Sequence, residues 1–492
     1  MENYEGGESA NYVERNERQS GSAQMREICA DLDNVRQVFA TNRQQIEQGA
    51  NQYLPELPAD FLNSLQEANQ GSGRQSKYFD GGTDVDATAN QTQPVLDGGQ
   101  TPTDARPPLD RPIPPMDATG PSSPVNPNFN SNDLNAVYQR NQQRIDTNHD
   151  GFLNSSELDA AALDRSISGE DAQMVAMLRS NQDFFSRFHN DGMLNEPAGI
   201  SSADMAEFHA RQARGRADIA RGANNTADAR ITRAVDADLH SGTERLTRTN
   251  GDLFANRANP LQSIVPEACR QGTEGDCVLQ AQMASLAHTN PQAIRDMIRE
   301  NQDGSYTVTF PGDPQNPVRV ARPSDTELAT YGGGSEHGIW PAVIERAYGT
   351  YYSSRNGQVP GEVAANAGES PEVTSRNTEL LTGHRGHDEE INRMNEADLR
   401  RVLSECNTHP TTAFLNGDRR WPGGRHPETG LPGAHAYSVT GYDPRTGMVT
   451  LRNPWGRGEP RGANGGPRDG NDDGTFQMSY EEFRRTFSRV NY

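Results

Sequence analysis

Between Pro102 and Pro127 the chain places nine prolines, inside a stretch from about Gly71 to Asn130 that is otherwise rich in Gly, Asp, Thr and Asn. Proline removes a backbone donor and fixes φ, and no apolar periodicity accompanies it here, so neither helix nor sheet is expected. Residues 71–130 read as a disordered linker, partly in the polyproline conformation. Any packed core has to come from the chain on either side of it. With 47 glycines, 31 prolines and only 32% hydrophobic residues, the 492-residue chain has the composition of a protein in which one part buries no core.

Charge and cysteine usage exclude several classes. A formal net charge of −22 argues against unspecific nucleic-acid binding, which needs basic surface to release phosphate counterions, and suits a chain that attracts cations. No run of about 18 apolar residues occurs, so no transmembrane segment is expected. Cys29, Cys269, Cys277 and Cys406 are too few for a disulfide framework in so long a chain. The opening MENYEGGESANYVERNE has neither a basic start nor an apolar stretch, so no secretory signal is expected and a reducing cytoplasmic setting is the default.

Periodicity then divides the chain. Met25, Ile28, Leu32, Val35, Phe39 and Ile46 predict one amphipathic helix in a 1–70 segment. Structure returns at Asp133 with a helix to Ile145, a polar loop, and a second helix from about Ser155. Ser168 with Asp171 and Ser201 with Asp204 are helix-start signatures. These residues form a small all-α module over 131–210. A weakly amphipathic helical connector, 211–251, leads to the last block, 252–492. There helical patterns (277–289, 291–300, 340–351) precede strand patterns (306–310, 412–415, 435–442, 448–452), which predicts an α+β domain in two lobes.

The polar loop has the spacing of a cation site. Residues 146–157 read Asp-Thr-Asn-His-Asp-Gly-Phe-Leu-Asn-Ser-Ser-Glu. Asp146, Asn148 and Asp150 supply oxygens at positions 1, 3 and 5, Gly151 the sharp turn, Phe152 a backbone carbonyl, and Glu157 a bidentate carboxylate at position 12. This is the EF-hand pattern for Ca2+. The segment 189–204 has the apolar residue and helix start of a mate but the wrong ligand spacing. It is expected to be a structural partner, with Ile200 beside Leu153.

Two further elements carry nucleophile chemistry. In Gln271-Gly-Thr-Glu-Gly-Asp-Cys277 a small loop runs into a helix that Asp276 can cap. A thiol in the first helical turn feels the positive end of the dipole and is biased toward thiolate. On this segment alone an inert buried thiol is as common a reading. The second element is Gly433-Ala-His435-Ala-Tyr-Ser-Val-Thr-Gly-Tyr442, a turn, and Met448-Val-Thr-Leu-Arg-Asn453-Pro-Trp455-Gly456. If the turn is the five residues 443–447, Tyr442 faces Met448, Asn453 faces Tyr437, and His435 lies diagonal to Asn453 on one face. A one-residue bulge would break that register. Asn453 can then hold one ring nitrogen of His435, and Trp455 can roof the bond.

These motifs together resemble the calpain catalytic domain. Gln271-x5-Cys277, Gly-x-His435-Ala-Tyr-Ser-Val-Thr-Gly and Leu-Arg-Asn453-Pro-Trp455-Gly stand in the family's order. Trp340-Pro-Ala-Val-Ile-Glu345-Arg-Ala-Tyr348 and Asp473-Gly-Thr-Phe-Gln-Met-Ser-Tyr-Glu-Glu-Phe483 resemble its linking helix and closing segment. The resemblance spans about 255–490 and implies a papain-like, two-lobed cysteine endopeptidase acting on protein or peptide substrates through a thioester. It implies Cys277 as nucleophile, His435 as its base, Asn453 as orienter, Trp455 as shield and Gln271 as oxyanion donor. The alternative is a silent calpain-fold scaffold. Val278 stands where the family has an aromatic residue. The family also binds calcium within its lobes, where Glu459 and Asp473 match ligand positions but Ala268 and Thr475 replace carboxylates.

Overall fold

A computed structural model describes residues 125–189, 199–332, 334–353, 363, 370–418, 424–462 and 465–492. The expected 1–70 helix, Cys29, the linker up to residue 124 and most of the mate loop (190–198) lie outside the described residues.

The helical block begins with α1 (Ser131–Ile145), where Asn130 and Asp133 form a capping box. The loop carries β1 (Phe152–Leu153) and leads to α2 (Ser155–Leu163), capped by Asn154 and Glu157. Next comes α3 (Gly169–Ser180), shorter than its apolar pattern suggests because the helix stops at Asn181 (φ −127°). Ser168 sits at its N-cap without a side-chain capping bond; Asp325 Oδ2 accepts from Gly169 N–H instead, at 3.3 Å. Phe185, in the one-turn α4 (Gln182–Phe185), and Phe188 stack edge-on against Phe208.

The strand β2 (Ile200–Ser201) pairs antiparallel with β1, and Leu153 faces Ile200. Ser201 and Asp204 then cap α5 (Ser202–Ala220) in the box read from the sequence. The stretch read as a connector holds the end of α5 and all of α6 (Ala227–Arg248). Ile231, Ala234, Val235 and Leu239 of α6 are buried in one apolar core with Leu134, Leu153, Leu158 and Phe208. Its apolar residues are spread along 22 positions, which hides the buried face in a short sequence window.

The cysteine lobe contains α7 (Cys277–Thr289), α8 (Pro291–Met297), the hairpin-linked β3 (Ile298–Glu300), β4 (Tyr306–Val308) and β5 (Val318–Val320), α9 (Asp325–Thr330), α10 (Trp340–Tyr352) and α11 (Pro371–Thr382). The predicted helix 291–300 is therefore three residues too long. A turn with Gly304 at φ +75° returns the chain so that Ile298 pairs with Val308, and this pairing overrides helical propensity.

The other lobe is an antiparallel six-stranded sheet in the order β10-β9-β8-β7-β11-β6. Its members are β6 (Asp388–Glu390), β7 (Thr411–Leu415), β8 (His435–Asp443), β9 (Met448–Arg452), β10 (Thr475–Ser479) and β11 (Arg489–Asn491), with α12 (Glu396–Glu405) and α13 (Tyr480–Thr486) packed on it. Helices and sheets together make an α+β domain. Helical block and both lobes belong to one compact unit. Among the described residues no helix is long and apolar enough to cross a membrane.

Candidate active site

Cys277 opens α7, a helix whose residues 277–287 are all buried. The helix lies against β8, where Ser438 Oγ donates to Ala281 O at 2.8 Å. Ser285 Oγ donates to Thr411 O at 3.0 Å and accepts from Thr411 N–H at 2.7 Å, so α7 also bonds to β7. At the junction, Cys277, Val278 and Ala281 pack with Phe414 and Ala436. The departure at Val278 thus leaves no gap: Phe414, from the opposite lobe, supplies an aromatic ring to the same cluster. Burial leaves 4% of Cys277 and 5% of His435 exposed.

His435 is the first residue of β8, and it follows Ala434, a non-glycine residue at φ +50°. Such strain persists only where the surroundings impose it. His435 Nε2 lies 2.8 Å from Asn453 Oδ1. Asn453 is fully buried, and its amide orientation is fixed by two other bonds: Oδ1 accepts from Trp455 N–H at 3.0 Å and Nδ2 donates to Gly458 O at 3.1 Å. With Oδ1 an acceptor, Nε2 of His435 carries the proton and Nδ1 is the nitrogen left for chemistry.

The register that achieves this differs from the expected one. Asp443, not Tyr442, pairs with Met448, so the turn is the four residues 444–447. The register then shifts between Val439 and Gly441, and Ser438 pairs with Arg452. The bulge at Thr440 takes up the extra residue and puts the Tyr437 and Asn453 ends where the five-residue turn would have put them. A bulge was expected to break the geometry; this one restores it.

Trp455 lies with its ring centroid 4.6 Å from that of His435 at an interplanar angle of 44°. It also does something its sequence position does not reveal. Its Nε1–H donates to Gln271 Oε1 at 2.8 Å, and Gln271 Nε2 donates to Glu274 O at 2.6 Å. The indole N–H can only donate, so the amide oxygen of Gln271 must face it, and the amide NH2 keeps one hydrogen beyond its bond to Glu274 O.

The Gln271 segment is held by backbone approach. Thr273 N–H donates to Thr330 O at 2.9 Å, and Gln271 N–H to Pro454 O at 2.8 Å. A Cβ on Gly272 would lie 1.9 Å from Thr330 O, and one on Gly332 only 1.4 Å from Arg270 O, so these two positions accept only glycine. Arg452, buried, bridges the lobes: Nε donates to Pro266 O at 2.9 Å, Nη2 to Cys269 O at 3.1 Å and Nη1 to Asn453 O at 3.3 Å. It lies inside the Leu-Arg-Asn-Pro-Trp-Gly run, but nothing in that run tells which carbonyls it binds. Asp276 does not cap α7 as expected; its side chain turns inward and accepts from Gln280 Nε2 at 2.9 Å.

Residues 249–466 match the model of the calpain family of cysteine proteases. That is under half of the chain, and it contains Gln271, Cys277, His435, Asn453 and Trp455. No curated protein matches the chain. The six-stranded sheet continues past the matched segment, since β10 and β11 complete it.

The other two thiols of the matched segment, Cys269 and Cys406, are buried and held in the protonated form. Burial pushes the Cys269 thiol far above its usual range and that of Cys406 up to about 11.

The 146–157 loop forms the sharp turn read from the sequence, with Gly151 at φ +86°. Its side chains are engaged within the loop. Glu157 Oε1 accepts from Thr147 and Asn148 N–H at 2.9 and 3.2 Å, and Oε2 from Asn154 N–H at 3.1 Å. Asp150 Oδ1 accepts from Phe152 N–H at 2.9 Å and Asn148 Oδ1 from Asp150 N–H at 3.0 Å. Asp146 Oδ1 is buried with no partner. Among the described residues no group of three His, Cys, Asp or Glu is gathered as around a metal. An all-oxygen donor set with one orphaned carboxylate oxygen nevertheless fits a hard cation better than any other.

In the sheet lobe, Glu459 Oε1 accepts from Asp473 and Gly474 N–H at 2.9 and 2.8 Å, while Oε2 is buried without a partner. Burial, with Asp469 and Asp473 nearby, pushes its carboxyl up to about 7. Ala268 is buried and Thr475 N–H donates to Asp473 Oδ1 at 2.9 Å.

Proposed function

We propose that this protein is a calcium-linked cysteine endopeptidase that works through Cys277, His435 and Asn453. The carrying observation is the 2.8 Å bond from His435 to an Asn453 amide whose orientation is fixed twice over, beside a cluster containing Cys277. Cys277 Sγ gives its proton to His435 Nδ1 and, as thiolate, attacks the scissile carbonyl carbon and forms the C–S bond. The carbonyl electron pair moves to oxygen, which accepts from Cys277 N–H and Gln271 Nε2–H; one such donor is worth roughly 2.7–4 kcal/mol. His435 Nδ1–H protonates the amine as the C–N bond breaks, leaving a thioester. Water, giving its proton to His435, then hydrolyses the thioester to the acid and the free thiol. Asn453 holds the imidazole in the needed tautomer throughout, and Trp455 covers that contact and orients Gln271. Cleavage of unfolded casein by the wild type, and none by Cys277→Ala, tests the reading.

Calcium would be held by Asp146, Asn148, Asp150, the Phe152 carbonyl and Glu157. When bound, it supplies positive charge that orders the loop between α1 and α2 and takes no part in the peptide-bond chemistry. With the mate segment lacking ligand spacing, binding on the order of 10⁻⁵–10⁻³ M is expected. Calorimetry on the wild type and Glu157→Gln checks this: binding that survives the substitution removes the loop, and directs attention to Glu459 and Asp473.

A further inference from the structure

Directly behind the nucleophile, the protein buries two acids against each other. Asp276 precedes Cys277, and Glu345 projects from α10; both are 0% exposed. Asp276 Oδ2 accepts from Gln280 Nε2, and Gly332 N–H is the one backbone donor beside Glu345, but neither Asp276 Oδ1 nor either Glu345 oxygen has a well-formed hydrogen bond from a protein donor. The two carboxyls lie against one another, and a hydrogen bond between them requires that one of them carry a proton.

Among the described residues, the groups that face the pair carry no positive charge. From the same loop Glu274 faces both acids, itself buried. The Tyr348 phenol of α10 faces Asp276, while Tyr331, from the segment after α9, and the Cys269 thiol face Glu345. Arg346, next to Glu345 in sequence, pairs with Glu327 at 2.5 Å. Among the described residues neither Asp276 nor Glu345 has an ion-pair partner. Two unscreened carboxylates in contact cannot both ionise near neutrality, so they titrate as a pair.

We propose that Asp276 and Glu345 share one proton and act together as positioning residues for the nucleophile, pinning the start of α7 so that Cys277 Sγ and the Cys277 N–H stay in place while the proton is held. The inference rests on Cys277 being the nucleophile. The physical need is twofold. The cap position of α7 has no side-chain capping bond, so its backbone is fixed from behind instead. In addition, a doubly ionised pair would set a second negative charge next to the thiolate and disfavour it.

The pH dependence follows. Burial pushes Asp276 up to about 7 and Glu345 well above its usual range, each reinforced by the other's charge. Unfolded carboxyls give up their protons near pH 4. Between that value and the folded ones the folded state binds more protons, so its stability falls as pH rises.

The test compares wild type, Glu345→Gln and Glu345→Ala in the full chain, following kcat, KM, iodoacetamide labelling of Cys277 and melting temperature from pH 5 to 9. Glu345→Gln reproduces the protonated member. It is expected to keep turnover near pH 6, flatten the alkaline fall of melting temperature, and move the alkaline loss of kcat upward by about one pH unit. Glu345→Ala should lose at least tenfold in kcat with KM little changed. A Gln variant with the wild-type pH dependence in both kcat and melting temperature overturns the proposal, as does a folded Gln variant as inactive as Ala. If Glu345→Gln does not fold, Asp276→Asn carries the same comparison. Activity retained in Cys277→Ala would instead remove the nucleophile reading, leaving the melting curves to judge the shared proton alone.

Discussion

The two halves of the site are built by different physics. On the sheet side, His435, Asn453 and Trp455 lie on one hairpin and its exit turn, and the bonds that orient the Asn453 amide run between residues at most 18 apart. On the helix side, Cys277 depends on groups far away in the chain: Glu345 behind it, Thr330 O under Thr273, and Trp455 across the cleft holding Gln271, 184 positions earlier. The His435–Asn453 bond needs only the hairpin and its exit turn, whereas Cys277 is held by contacts that form only once distant segments of the chain have come together.

This contrast orders the expected effects of mutation. Asn453→Ala leaves the His435 ring free to take the wrong tautomer and orphans Gly458 O. Turnover should fall by up to about 10⁴-fold, the scale of a misoriented catalytic imidazole, and iodoacetamide labelling of Cys277 should slow in parallel. Gln271→Ala should lower kcat by roughly 10²–10³, the cost of one oxyanion donor, while leaving the labelling rate near wild type. Labelling that slows as much in Gln271→Ala as in Asn453→Ala would erase the distinction between the halves.

How far the sequence discloses each half follows the same line. The hairpin is readable because strand alternation and the Asp-Pro-Arg-Thr-Gly turn are local signals, and a register follows from them. The bulge at Thr440 is not readable, since either turn length satisfies the local pattern. Tyr437, Val439 and Leu451, buried in the sheet core, keep the same register with either turn. The helix start at Cys277 is legible, but the sequence does not disclose that Asp276 turns away from the cap. Its partner Glu345 lies 69 positions on, on a helix whose pattern shows an acid without showing what it faces. In the helical block, the pairing of Leu153 with Ile200 follows from apolar positions in two loops. Of the β3–β5 sheet only β4 shows, within the 306–310 pattern; β3 and β5 escape notice because three-residue strands are shorter than any periodic window.

Arg452 sharpens the comparison from the side of stability. It reaches from the legible hairpin to the Pro266 and Cys269 carbonyls just before Gln271. Arg452→Met should cost roughly 1–3 kcal/mol for each buried carbonyl left unpaired, seen as a lower denaturant midpoint. Turnover of the molecules that remain folded should change less than in Gln271→Ala. A larger loss of turnover than of stability would mean that lobe alignment, not folding, is what Arg452 maintains.

The most direct measurement is the site and stoichiometry of alkylation. Wild-type protein is treated with limiting iodoacetamide near neutral pH, its residual peptidase activity is measured, and the labelled cysteine is located by peptide mass spectrometry. The account predicts one label per molecule on Cys277, rising in step with the loss of activity, while Cys269 and Cys406 stay unmodified. Activity that disappears with label on Cys269 or Cys406, or that survives full labelling of Cys277, would contradict it.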